Sequence, residues 1–528
     1  MKRNKLTIML GLSVALQACS EMSYSMKDEG AYYGDTAAGY AMDDADVAAE
    51  APNDGYYDDG YGSEAEDSFL ALRPATTDAY VFVANPDRNT VSRISVPSLE
   101  VLTTEVGVEP SIVETSADYT RAVTFNKGSD SISIIEAETL DVTEVEVRNN
   151  LNQMKMSPDG KWAICYHDVS ADGGGVADGG SISFNAISIV DLETSAQVEA
   201  IVGAYPHDVQ FTEDSSLAVI ISDDYLAAVD LTADSVMPKR IAISDDLINP
   251  PRAEEVLLDP AGRYAIVRQY GVNELVLVDF SEGAASEVSM LAVGENPTDM
   301  DVSPTGEEAI VVARGSKELW IYDLEDPTLD PVIIPFPEEE VFGSLLLSPG
   351  NDQGILYSTA SGQSRLGVWD RTTEEVEVRG LVKPVSSVGL SPNGETGVIF
   401  HPQENGDTPS SSQFYNHHAL SLVDMGDFFS TSYRLAGEPT AFASTPDGNT
   451  GFYVMDGLPY LEIIDYQSFV PSEVRLPSVP VHLGNLPDTN TVFISQEHEL
   501  GRLSFYNTDD SQLRTITGFE LNSAIEHD

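Results

Sequence analysis

One phrase returns along this chain about every 45 residues, and a chain with that period can fold in few ways. Its most regular copies are PTDMDVSPTGEEAIVVARGSKELWIYDL at 297–324 and PTAFASTPDGNTGFYVMDGLPYLEIIDY at 439–466. Each copy opens on Pro and runs through a short alternating strand to a turn of the Ser-Pro-Asp-Gly kind. An apolar strand follows, then a polar loop, then a third strand ending in Val-Asp or Ile-Asp. A β-branched fourth strand leads to the next Pro. Pro and Gly supply the turn dihedrals, and apolar alternation supplies the buried faces.

The third strand is the easiest to follow. It reads IVDL at 189–192, AVDL at 228–231, LVDF at 277–280, IYDL at 321–324, VWDR at 368–371, LVDM at 422–425 and IIDY at 463–466. SRIS at 92–95, SIIEAE at 133–138 and LSFYN at 503–507 complete a set of ten. Four strands per unit at this period specify propeller blades: a stacked solenoid has a shorter repeat, and helical periodicity is absent. The expected fold is therefore all-β, a β-propeller of about ten four-stranded blades over 68–528.

A second, longer repeat overlies the first. EVEVR occurs at 144–148 and again at 375–379, followed by MSPDG at 156–160 and LSPNG at 390–394. SPDGKWAICYHD matches SPNGETGVIFHP, so His167 corresponds to His401 and the third unit to the eighth. This reads as two tandem five-blade blocks, about 68–297 and 298–528. No linker-like stretch lies near 295–300, which favours one large ring over two five-bladed propellers.

The segment at 80–135, YVFVANPDRNTVSRISVPSLEVLTTEVGVEPSIVETSADYTRAVTFNKGSDSISII, resembles the YVTN-type repeat of bacterial surface and periplasmic propellers. That resemblance implies the propeller fold; such proteins are mostly uncharacterised or bind ligands. A related lactonase group is enzymatic, but none of its catalytic residues can be placed on this chain position by position.

The N-terminus reads MKRNKLTIMLGLSVALQACS. A basic start and an apolar stretch of about ten residues are too short to span a bilayer and fit a signal peptide at 1–18. Leu16-Gln17-Ala18-Cys19 resembles a bacterial lipobox, which implies acylation of Cys19, and Ser20 implies sorting to the outer membrane. The expected location is the bacterial cell envelope, with the membrane reached through an N-terminal lipid. Residues 19–67 are rich in Gly, Ala, Asp and Glu without apolar period, the composition of a disordered acidic tether. The other cysteine, Cys165, lies in an apolar strand and reads as core, as do Trp162, Trp320 and Trp369.

Lys and Arg number 27 against 87 Asp and Glu, a formal net charge of −60. Such a surface opposes nucleic-acid binding and adsorption to anionic head groups, and it attracts divalent cations. Enzyme motifs are absent: there is no Gly-x-Ser-x-Gly, His-Glu-x-x-His, phosphate loop or haem-attachment Cys pair.

Two groups of residues remain as candidates. The positions after the unit-opening turns place His207, Asp208, Glu254, Glu255 and Asp299 on neighbouring loops, a set able to hold a divalent cation such as Ca2+. No other cofactor is called for. Two long loops interrupt the same position of the third and eighth units and carry His167, Asp168, Asp172 and Asp178, and His401, Asp407 and His417. Long loops in compact domains serve function or are tolerated insertions, and here they are candidate contacts for a protein, peptide or glycan. The leading expectation is a ligand-binding or scaffold propeller. Its rival is a propeller hydrolase or lactonase with a metal in the central channel.

Overall fold

The computed structural model describes residues 74–518 except 97, 170, 172–184, 245, 247–250, 281–286, 338–339, 488 and 499–500. The segment expected to be a signal peptide, Cys19 and the acidic segment to 67 lie outside the described residues.

Ten four-stranded antiparallel sheets follow one another, each built from four strands consecutive in sequence. The blades, numbered 1 to 10, span 75–105, 110–146, 153–201, 208–242, 253–292, 297–335, 344–380, 387–434, 439–475 and 480–517. Within a blade the strands are A to D in chain order. Strand A lies innermost, where it touches the A strands of neighbouring blades, as Pro439–Ser444 does Pro480–Asn485. Strand D lies outermost, and its residues are largely exposed, as in Glu287–Ala292.

Blades pack face to face through hydrophobic clusters at all ten joints. Blade 5 packs on blade 6 through Ile266, Leu277, Val311 and Tyr322, so the two halves are joined rather than separately closed. The ring closes where Leu486, Phe493, Leu503 and Phe505 of blade 10 meet Val81, Ile94 and Val96 of blade 1. Thr76 Oγ1 donates to Asn485 O at 3.3 Å and Arg514 Nη2 to Val96 O at 3.3 Å across that joint. Each end blade keeps its own four strands, so closure rests on side-chain packing and not on exchange of a strand. Trp369 and Cys165 are core residues, and burial raises the Cys165 thiol pKa far above its ordinary value.

The repeated phrases are explained by local physics. The Asp ending strand C accepts hydrogen bonds from backbone N–H groups two and three residues on, as Asp465 Oδ1 does from Gln467 and Ser468, both at 2.9 Å. It therefore closes the C–D turn, the Asx-turn chemistry that favours Asp at this place. The glycine of Ser-Pro-Asp-Gly serves both turn and joint. Gly160 has φ +69°, and a Cβ there would lie 2.6 Å from Ser116 Cβ on the preceding blade. Only a residue without a side chain lets successive A–B turns stack so closely.

Candidate functional site

In an antiparallel meander the A–B and C–D turns lie at one end of a blade, and the B–C and D–A loops at the other. Among the described residues, the sequence-derived candidates belong to the second end, where loops of ten blades converge. Just below those loops, the last residue of strand B, or the one directly after it, forms a buried polar belt. It is Asn85, Asn126, His167, Ser222, Gln269, Ser358, His401 and Gln496 in blades 1, 2, 3, 4, 5, 7, 8 and 10.

His167 and His401 belong to this belt. His167 Nδ1–H donates to Asn150 O, and His401 Nδ1–H to Pro384 O, each at 2.8 Å and each tying the B–C corner to the preceding D–A loop. His401 is wholly buried, and Ser421 Oγ–H donates to its Nε2 at 2.7 Å. Burial, with a further contribution from Lys383, lowers its pKa to about 4, so the ring is neutral at physiological pH. The shared contact is the structural content of the sequence duplication.

His207 and Asp208 sit at the entry to blade 4. His207 Nδ1 is 3.2 Å from Tyr205 O and 3.8 Å from Asp223 Oδ1. Asp208 Oδ1 is 3.8 Å from Lys155 Nζ of blade 3, while its Oδ2 is buried with no hydrogen-bond partner among the described residues. Burial is the main cause of a raised Asp208 pKa, and Asp168 adds to it. The Asp168 backbone is clasped by Asn152, whose Nδ2 donates to Asp168 O at 2.7 Å and whose Oδ1 accepts from Asp168 N at 2.8 Å.

Glu254, Glu255 and Asp299 form a separate group organised by a residue that the sequence reading passed over. Arg268, on strand B of blade 5, donates to Glu255 at 3.0 Å through Nε and to Glu254 through Nη1. Adjacent strand residues ordinarily point to opposite faces. A β-bulge between Ala253 and Glu255 sets two residues against one on the partner strand, so both carboxylates reach one guanidinium. Burial opposes the charge on Arg268, yet Glu255, Glu254 and then Asp299 hold its pKa above the ordinary value. Asp299 Oδ2 accepts from Leu345 N of blade 7 at 2.6 Å. The five residues expected to share a divalent cation thus fall into two groups, one of them organised by arginine. No three His, Cys, Asp or Glu side chains placed to hold a metal ion occur among the described residues. The signal for Arg268 was a charge inside the apolar run YAIVRQ.

Of the two long loops, 402–418 is described throughout, while Asp172 and Asp178 of the first lie outside the described residues. The second is anchored by Lys383, whose side chain is wholly buried. Its Nζ donates to Gln403 O at 3.1 Å, Asn405 Oδ1 at 3.3 Å and Phe414 O at 3.4 Å, holding both limbs of the loop. Asp407 reaches blade 7, where its carboxylate accepts from Ser364 N at 3.1 Å and from Ser364 Oγ. His417 lies half-buried on the returning limb, with its N–H on Phe414 O at 3.1 Å. At the opposite end of the ring, an open cavity of about 720 Å³ lies among the A–B turns of blades 4 to 6, lined by Glu213, Asp214, Asp259, Arg263 and Glu307.

No protein-family profile matches the chain, and no curated protein does. Among solved structures it is similar to a eukaryotic initiation factor, at 11% identity over 75% of this chain and 96% of that one, with TM-score 0.49. It is also similar to dihydro-heme d1 dehydrogenase NirN in complex with DHE, at 14% identity over 77% and 75%, with TM-score 0.46. Hydrazine synthase from Kuenenia stuttgartiensis aligns at 17% identity over 60% of this chain and 98% of that one, with TM-score 0.31. These likenesses carry no argument about function.

Proposed function

We propose that this chain is a binding or scaffold propeller of the bacterial cell envelope, held to the outer membrane by a lipid on Cys19. The ten-bladed ring presents a protein, peptide or glycan site on its B–C and D–A loop face. The observation that carries the reading is the 402–418 loop. It contains no strand or helix, yet a buried ammonium secures both of its limbs and Asp407 fastens it to the neighbouring blade. Its exposed edge offers Gln403, Glu404, Pro409, Ser410, Ser411 and Gln413, a short amide- and hydroxyl-rich surface carried on a loop anchored at its base. Preorganisation of this kind lowers the entropy cost of association.

The rival reading as a metal-dependent hydrolase needs free carboxylates in the mouth. Glu254 and Glu255 are instead hydrogen-bonded to Arg268, which supports the binding reading. The strongly acidic composition suits a neutral or cationic partner better than an anionic one.

The test uses immobilised full-length protein and a detergent extract of the source envelope, with a variant lacking 409–413. A stoichiometric partner recovered by the parent and lost by the variant, at an unchanged melting temperature, is the expected result. Equal recovery would place the binding surface elsewhere. Metabolic labelling with a tritiated fatty acid, abolished by Cys19→Ser, tests the anchor.

A further inference from the structure

We infer that 402–418 is a strap with a permanent hinge and a releasable latch, closing over the head of blade 7. The two fastenings differ in kind. The hinge is Lys383, fully buried, with three oxygen acceptors from both limbs of the loop. Opening there would leave a buried ammonium unsatisfied, so this end stays shut.

The latch lies at the far end. Asp407 N donates to Gly362 O at 2.8 Å, and the Asp407 carboxylate caps Ser364 N at 3.1 Å. The contact requires glycine on the strap: Gly406 has φ +51°, and a Cβ there would lie 2.2 Å from Gly362 O. The Asp407–Ser364 hydrogen bonds are exposed, so water competes for every donor and acceptor in them. In the closed strap Thr408, next to the latch, is buried, and its Oγ1 has no hydrogen-bond partner among the described residues. That orphan hydroxyl makes the closed strap less favourable and gives opening a local gain.

The anchoring lysine belongs to one half of the ring. At the matching place in the first half stands Asn149, which is exposed and brings no buried charge. The buried lysine hinge is therefore particular to the loop of the eighth blade. When the latch releases, Thr408 and the B–C corner of blade 7 from Ser358 to Ser364 become accessible beside the loop face.

Hydrogen–deuterium exchange of the full-length protein tests this, comparing the parent with Asp407→Ala and Lys383→Met. Asp407→Ala is expected to speed exchange at least tenfold in 405–413 and 361–364, while Thr396–His401 and Ala419–Asp424 keep parental rates. Lys383→Met should speed exchange along both limbs, including 403–405 and 414–416. Parental rates in Asp407→Ala would overturn the latch. Acceleration spreading equally into the two strands would overturn the strap as a separate unit. Should Lys383→Met fail to fold, the Asp407→Ala comparison decides alone.

Discussion

Replacing Arg268 with Met removes the one guanidinium that Glu254 and Glu255 share while keeping most of the apolar stem. The side chains of Arg268, Glu254 and Glu255 are 13%, 12% and 7% exposed, so the variant leaves carboxylates with little water to turn to. Breaking a buried ion pair from one side costs about 3–5 kcal/mol. An independent bound agrees. A stranded glutamate can escape by taking a proton at pH 7, and from an ordinary pKa near 4.3 that costs about 3.7 kcal/mol. The expected loss is thus about 3–4 kcal/mol at pH 7, carried chiefly by one carboxylate. It should shrink as pH falls toward about 4.5, because protonation then becomes nearly free. Urea denaturation at both pH values, followed by the fluorescence of Trp320 packed at the same blade 5–6 joint, reads this locally. Adding Glu255→Gln to Arg268→Met should recover part of the loss. A loss below about 1 kcal/mol, or one indifferent to pH, would refute the buried-cluster reasoning.

Three further predictions follow from the same geometry. His401, with a folded pKa of about 4 against an ordinary 6.5, binds its proton more readily when unfolded. Stability should therefore be full above about pH 6.5 and fall by about 3 kcal/mol as pH drops to 4; a His401→Gln variant should lack that component. Gly262→Ala should cost about 1–3 kcal/mol, since φ is +68° and the new Cβ would meet Thr212 Cγ2 at 2.5 Å; an unchanged melt would remove the turn-stacking role. Leu503→Ala, at the closing joint, should cost about 2–5 kcal/mol and speed hydrogen exchange in blades 1 and 10 before the others.

The propeller was legible because its signals are local and repeated. Pro opening strand A, the turn glycine and the strand C aspartate each recur at fixed places in a unit, and the glycine and aspartate each have a backbone task. The single ring was legible as well, from the missing linker near 295, and Leu257, Ile266 and Met300 now show blades 5 and 6 packed together there. The site was less legible, for two physical reasons. Glu254 and Glu255 looked like cation ligands because a bulge cannot be read from alternation, and because their partner Arg268 lies on another strand. His167 and His401 looked like loop contacts because they begin the long loops. They lie at the buried end of strand B instead, His401 as its last residue and His167 just after it, tied to backbone carbonyls that only the fold brings near. Lys383 and Asp407 show the same limit: nothing in sequence links them to Phe414 or Ser364.

The account depends most on blade 10 closing against blade 1, since that joint makes one loop face out of ten blades. Cysteines at Thr76 and Asn485, in a Cys19→Ser, Cys165→Ser background, test it with a short bis-maleimide and peptide mapping. A single ring predicts an intramolecular 76–485 cross-link in most molecules, because Thr76 Oγ1 already lies 3.3 Å from Asn485 O. Two five-bladed propellers would instead bring blade 1 to blade 5 and blade 6 to blade 10. No 76–485 product, with both cysteines reactive, would contradict the ring.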